Sequence, residues 1–360
     1  MKNNSKNDIV DIAINGPMSD KTIWKSDSDI GKAYGDMVKY LYRKPNWGCL
    51  YPGCGEKPIS SHSIQASKIQ KKLCDNNNTV VSFQPVFSKE RLSVTAKYIG
   101  VHEASTSPMF CKKHDASLFY PIENYDVDVS NELHLFLYSY RAFIKGFYDK
   151  MFSFQASIDG VEKLKQVLNY NEDKPLSDYP TLMNEIKHSY GFYLGYFNQL
   201  KIKNVFDYAF EHNKYDVLNF KTKDIPYEIS FAVCSSFTPN NDFDGDVIND
   251  YIADDEPPKF VFMNMFPENG KSYLLISYLD RQKKYLNTYT ESLISESNYK
   301  DRLSEIILRY TDNFIVAPTY WNSISDAKRI DLLRFFSDTI NNKEISYYPN
   351  KHNLFEVGNN

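Results

Sequence analysis

Two pairs of metal-type ligands constrain this chain more than any other feature. The segment WGCLYPGCGEKPISSHSIQ (47–65) carries Cys49-x4-Cys54, and MFCKKHDASLF (109–119) carries Cys111-x2-His114. Tetrahedral zinc takes four nitrogen or sulfur donors, commonly two from a turn between strands and two from the start of a helix. Gly48, Gly53 and Gly55 allow the first turn to be tight, and Cys111 and His114 stand one helical turn apart. Cys49, Cys54, Cys111 and His114 are therefore the expected ligands of a structural Zn2+. Five cysteines, an odd number, in a chain whose first residues lack the apolar core of an export signal argue against a disulfide framework. Cys74 and Cys234 read as packing thiols.

His62 is a fifth ligand-competent side chain, in the strand-like stretch Pro58–Ile64. Spacing alone leaves it three roles: a zinc ligand in place of His114, a general base, or an interior hydrogen-bonding group.

The 360 residues, 42% hydrophobic and 15% aromatic, describe a globular protein of two or three domains. No run approaches the roughly 18 apolar residues of a membrane span, so no membrane association is expected, and the expected compartment is the cytoplasm. Periodicity divides the chain into residues 1–125, carrying the cysteines; 126–212, a long helical hairpin; 213–345, a β-rich α+β region; and a polar tail at 346–360. Residues 1–20 read as frayed, and a helix is expected at 28–44, stopped by Pro45. Short strands follow at 57–64, 80–87 and 92–99, then a brief helix at 112–119. The long helices are expected at 131–154, capped by Ser130, and at 180–212. Strands are expected at 215–223, 227–237, 260–266, 272–279 and 314–317, with helices at 299–310 and 326–341. The fold class is α+β: an N-terminal zinc-bound ββα module, a central helical hairpin, and a C-terminal antiparallel sheet with flanking helices.

Charge is unevenly distributed. Residues 39–113 hold 12 basic and 4 acidic side chains, within a chain of net charge −4. A basic module on an acidic body is the electrostatic footprint of nucleic-acid binding, with Lys68, Lys71, Lys72, Lys112 and Lys113 as candidate phosphate contacts. The stretch 241–256 holds seven acids and no Lys or Arg. It opens like a calcium loop (Asn240, Asp242, Asp244, Gly245). Its twelfth position is Tyr251, where a bidentate Glu is required, so a solvated loop is the reading.

The order Cys…Cys, Ser-His at a strand end, then Cys-x2-His-Asp at a helix start resembles the HNH-type, or His-Me finger, endonucleases, which are built on a zinc-supported ββα (treble-clef-like) hairpin. The strings KPISSHSIQ and FCKKHDASLFYPIE also resemble uncharacterised bacterial proteins that carry the same pattern. By this resemblance His62 is the general base, and Asp115 stands where the last histidine holds a catalytic Mg2+ or Mn2+, aided by Glu123. The chain departs from the family in three ways. Its first cysteine pair is spaced by four, the last histidine is Asp115, and no central asparagine is assignable among Asn76–Asn78.

The resemblance implies a metal-dependent endonuclease acting on nucleic acid, DNA ahead of RNA, and by analogy a regulated defence or toxin effector. The alternative is a non-catalytic, zinc-stabilised module that binds or senses nucleic acid or protein.

Overall fold

The computed structural model describes residues 47–87, 92–250 and 257–356, together with 27, 29–32 and 34–36. The described positions within 28–44 are helical. The rest of that expected helix, residues 1–20, and Tyr251 lie outside the described residues. The chain is a mixed α+β fold with a long helical region and a seven-stranded antiparallel sheet.

Two compact units form. One takes residues 146–212 and 249–258 with the described part of 1–48; the other takes 49–145, 213–248 and 259–360. In the first, helices Glu132–Val167 (from Gly146 on) and Pro180–His212 pack through aromatic side chains. Phe147 meets Tyr196 and Phe154 meets Tyr193, so the partner index falls as the first rises, and the helices run antiparallel. The first helix starts one residue later than its expected cap. Asn131, not Ser130, accepts from the Leu133 amide at 3.0 Å. It also runs beyond Phe154, because Ile158 and Val161 keep the apolar stripe buried.

The second unit holds both sheets. The larger has the order β3 (Leu92–Gly100), β2 (Thr79–Phe87), β9 (Phe314–Val316), β6 (Phe231–Phe237), β7 (Val261–Glu268), β8 (Lys271–Leu279), β5 (Leu218–Ile225). The β7–β8 hairpin turns through Asn269 (φ 53°) and Gly270 (φ 81°), the positive-φ pair that suits a tight hairpin. Every residue of β7 is buried, so both of its faces are covered. Phe262 and Phe266 meet Phe143 and Tyr138 of the helix that begins at Glu132. On the other face Met265, Val233, Phe314 and Phe83 align across four strands. Phe336 of helix Asp326–Asn341 packs against Phe83 and Phe314 there.

The β2–β3 hairpin, expected beside the cysteines, is thus an edge of this sheet, joined to it through Val81–Val316 and Ser82–Ile315. The smaller sheet pairs β1 (Ile59–His62) with β4 (Thr106–Phe110), antiparallel. The expected polar tail is packed rather than free: Leu354 is buried, and Phe355 lies edge-on to Phe231 and Tyr299. Among the described residues, no helix is long and apolar enough to cross a membrane.

Candidate metal centre and the adjoining histidine

The first ligand pair sits in a turn with little regular structure. The Cys49 amide donates to the Glu56 carbonyl at 2.8 Å, and the Cys54 amide to the Tyr51 carbonyl at 3.1 Å. Gly53, at φ 68°, supplies the left-handed residue that this turn requires. The Leu50 amide donates to the Met109 carbonyl at 2.8 Å, which lays the turn against β4. The second pair follows directly: Cys111 precedes helix Lys112–Leu118, and its carbonyl accepts from the Asp115 amide at 2.9 Å.

One donor atom from each of Cys49, Cys54, Cys111 and His114 lies within 4.8 Å of the others, so the structure contains a Cys3His group able to bind a metal ion. His114 Nδ1 is 3.4 Å from the sulfurs of both Cys49 and Cys111, and the Cys54 and Cys111 sulfurs are 4.0 Å apart. A tetrahedron with bonds of about 2.3 Å to sulfur and about 2.0 Å to nitrogen has sulfur–sulfur edges of about 3.8 Å and sulfur–nitrogen edges of about 3.5 Å. The three distances above are close to that spacing. Burial pushes the Cys49 thiol up to about 11, whereas the His114 amide draws the Cys111 thiol down. Metal binding must therefore displace the proton that burial holds on Cys49. The His114 ring stacks on Tyr51, centroids 3.9 Å apart and planes 11° apart, which fixes its orientation.

His62 does not belong to this group. It ends β1, half-buried, and its Nε2 lies 3.0 Å from the Val101 carbonyl. A carbonyl only accepts, so Nε2 carries the proton; in the neutral ring Nδ1 then holds the lone pair. Of its neighbours on β1, Ser61 is buried; its hydroxyl donates to the Ile59 carbonyl at 3.4 Å and accepts from the Phe110 amide at 3.3 Å. Burial, followed by repulsion from Glu123, raises the Asp115 pKa; Ser61, Arg141 and His62 act in the opposite direction. Glu123 is itself paired with Arg141, whose guanidinium is buried and lies 4.0 Å above the Phe119 ring. His62, Asp115, Glu123 and Arg141 therefore share one electrostatic neighbourhood, separate from the Cys3His group.

Most of the SHSIQ string is structural, which the sequence alone did not reveal. The Ser63 and Ser105 hydroxyls are 2.6 Å apart, and the Asn313 amide donates to Ser63 at 2.9 Å and to the Cys234 carbonyl at 2.6 Å. Asn313 Oδ1 accepts from Ser105 at 2.8 Å. Gln65 donates to the Glu123 carbonyl at 3.0 Å, and Gln70 to the Ile64 and Ala104 carbonyls. These groups are buried, so losing a partner leaves the others unsatisfied. Asn313→Ala should cost about 2–3 kcal/mol of stability in a urea titration, without changing bound metal.

The candidate phosphate-binding lysines divide. Lys68 pairs with the buried Glu268 and donates to the Tyr125 carbonyl at 2.8 Å; Lys72 pairs with Glu228. Lys68 is committed to holding the fold; Lys72 is exposed though paired, and Lys71, Lys112 and Lys113 are exposed as well. Lys68→Met leaves Glu268 buried without its cation and should destabilise by about 2 kcal/mol in a denaturant titration, with Lys71→Met near neutral. That is below the value for a fully buried pair because Lys68 remains 23% exposed. In the acidic loop, Asp242 accepts from the amides of Asp244 and Asp246 at 2.9 and 2.8 Å, so its carboxylate serves the turn itself.

The chain matches no protein-family model, no curated protein and no solved structure.

Proposed function

We propose that the Cys3His group holds Zn2+, that β1, β4 and helix Lys112–Leu118 act together as a ββα unit, and that the protein is a metal-dependent endonuclease in which His62 is the general base. The observation that carries this reading is the tautomer of His62. With Nε2–H donated to a fixed backbone carbonyl, Nδ1 is left as the group that takes a proton from water attacking a phosphodiester.

Burial, and after it the charge of Glu123, raises the Asp115 pKa, and a divalent cation beside the carboxylate would offset both. A Mg2+ or Mn2+ held by Asp115 and Glu123 would supply charge stabilisation at the phosphate. Arg141, lying over the Phe119 ring, pairs with Glu123 and holds it beside the site. The substrate is nucleic acid, with DNA preferred over RNA.

A second reading rests on those same contacts. Because Glu123 is occupied by Arg141, the cluster also suits a non-catalytic, zinc-stabilised binding module. Incubating the full chain with labelled DNA and RNA across Mg2+, Mn2+ and EDTA separates the two. Cleavage that requires the divalent ion and is lost in His62→Ala supports the nuclease; binding with no cleavage in any condition supports the module.

A further inference from the structure

The basic residues of 39–113 have two fates. Lys68 and Lys72 are neutralised within the fold. Lys57, Lys112 and Lys113 are exposed, and among the described residues none has a carboxylate partner within salt-bridge distance. All three line one open groove of about 670 Å³ over the Cys3His group, where Glu56 is the single acidic side chain. Lys57 comes from the first turn, and Lys112 and Lys113 from the start of the helix that follows Cys111, so the ligands that close the metal centre also bring the three ammonium groups together. Tyr51, stacked on His114, and Ile59, 41% exposed, give the same groove apolar walls.

The geometry points to this groove as a nucleic-acid backbone channel in which Lys57, Lys112 and Lys113 contact phosphates. The proposal deepens the nuclease reading and rests on it for the choice of polyanion. Like charges held together without internal partners repel one another, and a polyanion removes that repulsion while releasing its own counterions. The groove is open and its cations come from two chain segments, which fits an extended backbone better than one small anion. Apolar walls beside the cations suit sugars and bases. Lys57 was not among the sequence candidates; the turn that carries Cys49 and Cys54 brings it into one groove with Lys112 and Lys113.

The test is fluorescence anisotropy of the full chain with a labelled single-stranded oligonucleotide and its duplex, over a salt series, comparing wild type, Lys57→Glu/Lys112→Glu/Lys113→Glu, and Lys97→Glu. Lys97 is exposed on β3 and outside the groove. The triple variant should bind at least about tenfold more weakly, with the slope of log K against log salt shallower by about 2–3. Lys97→Glu should behave as wild type. Metal content of the triple variant, measured alongside, should stay at the wild-type level, which excludes unfolding.

Wild-type affinity and slope in the triple variant, an equal loss in Lys97→Glu, or no oligonucleotide binding by wild type each overturns the channel. Polyglutamate displacing the oligonucleotide at equal charge would reassign the groove to an acidic protein. Binding that depends on the three lysines with no cleavage in Mg2+ or Mn2+ sinks the nuclease reading and leaves the channel standing. Cleavage with an unchanged KM in the triple variant does the reverse.

Discussion

Replacing His62 by alanine is expected to lower phosphodiester cleavage by roughly 10²–10⁴-fold, the usual contribution of a positioned general base, while leaving bound metal and melting temperature close to wild type. The separation follows from geometry. His62 lies outside the Cys3His group, and its one hydrogen bond among the described residues goes to the Val101 carbonyl. His62→Gln is the sharper variant. Its amide can still donate to that carbonyl, so local structure is retained, but no basic nitrogen remains to accept a proton. If the histidine only supports the loop at Val101, glutamine should restore what alanine loses. If it is the base, glutamine should be as inactive as alanine. Asp115→Asn should also reduce cleavage, and raising the Mg2+ or Mn2+ concentration should recover part of the loss if Glu123 still holds the ion. Loss of bound zinc in His62→Ala, or full activity in His62→Gln, would remove His62 from the chemistry.

How far the sequence could be read depended on whether the deciding interactions were local. Helices Pro180–His212, Tyr299–Tyr310 and Asp326–Asn341 have the expected bounds because periodicity and caps mark them, as Ser325 does for the last by accepting from the Lys328 amide. The Cys3His group was legible because its ligand spacings are set by one turn and one helix start. The sheet order was not. β9 is three residues, Phe314–Val316, and its partner β2 lies more than 200 residues earlier in sequence. No local pattern encodes such a pairing.

β4 was not among the expected strands, and Pro108 interrupts its pattern. Proline is tolerated there because β4 belongs to a two-stranded sheet, where one side of each strand needs no ladder partner. Helix Lys283–Ile294 was missed for the opposite reason: its polar residues hide the buried stripe of Leu286, Tyr289, Thr290 and Leu293. The commitment of Lys68 to Glu268 was invisible for the same cause as the sheet order, since the two residues are 200 positions apart. In the SHSIQ string the residue types were legible, but their division of labour was not. Ser61, Ser63 and Gln65 face inward to polar partners, and His62 is turned to a backbone carbonyl.

Removing one ligand of the Cys3His group should have the largest effect on the fold. Residues 49–57 contain no helix or strand, and Leu50 is the one apolar side chain besides Cys49 that they bury. Backbone bonds to Glu56 and Met109 are too few to order such a segment, because fixing each residue costs about 1–2 kcal/mol of conformational entropy. A bound metal ion would supply the difference; zinc at comparable sites contributes apparent free energies of about 10–16 kcal/mol. Cys49→Ser, Cys111→Ser and His114→Ala should each lose the ion and release the turn from β4. The loss should extend to β1 and to the positions of His62 and Asp115, so these variants should fail in metal content, stability and cleavage together. Cys74→Ser should keep one metal per chain and an unchanged melting temperature, because Cys74 is outside the cluster and its thiol meets only the Lys71 carbonyl. Metal analysis with thermal melts decides the matter. A metal-free protein that melts within a few degrees of the metal-bound form would show that packing alone holds the turn, and that the four donors lie within 4.8 Å of one another without the fold depending on what they bind.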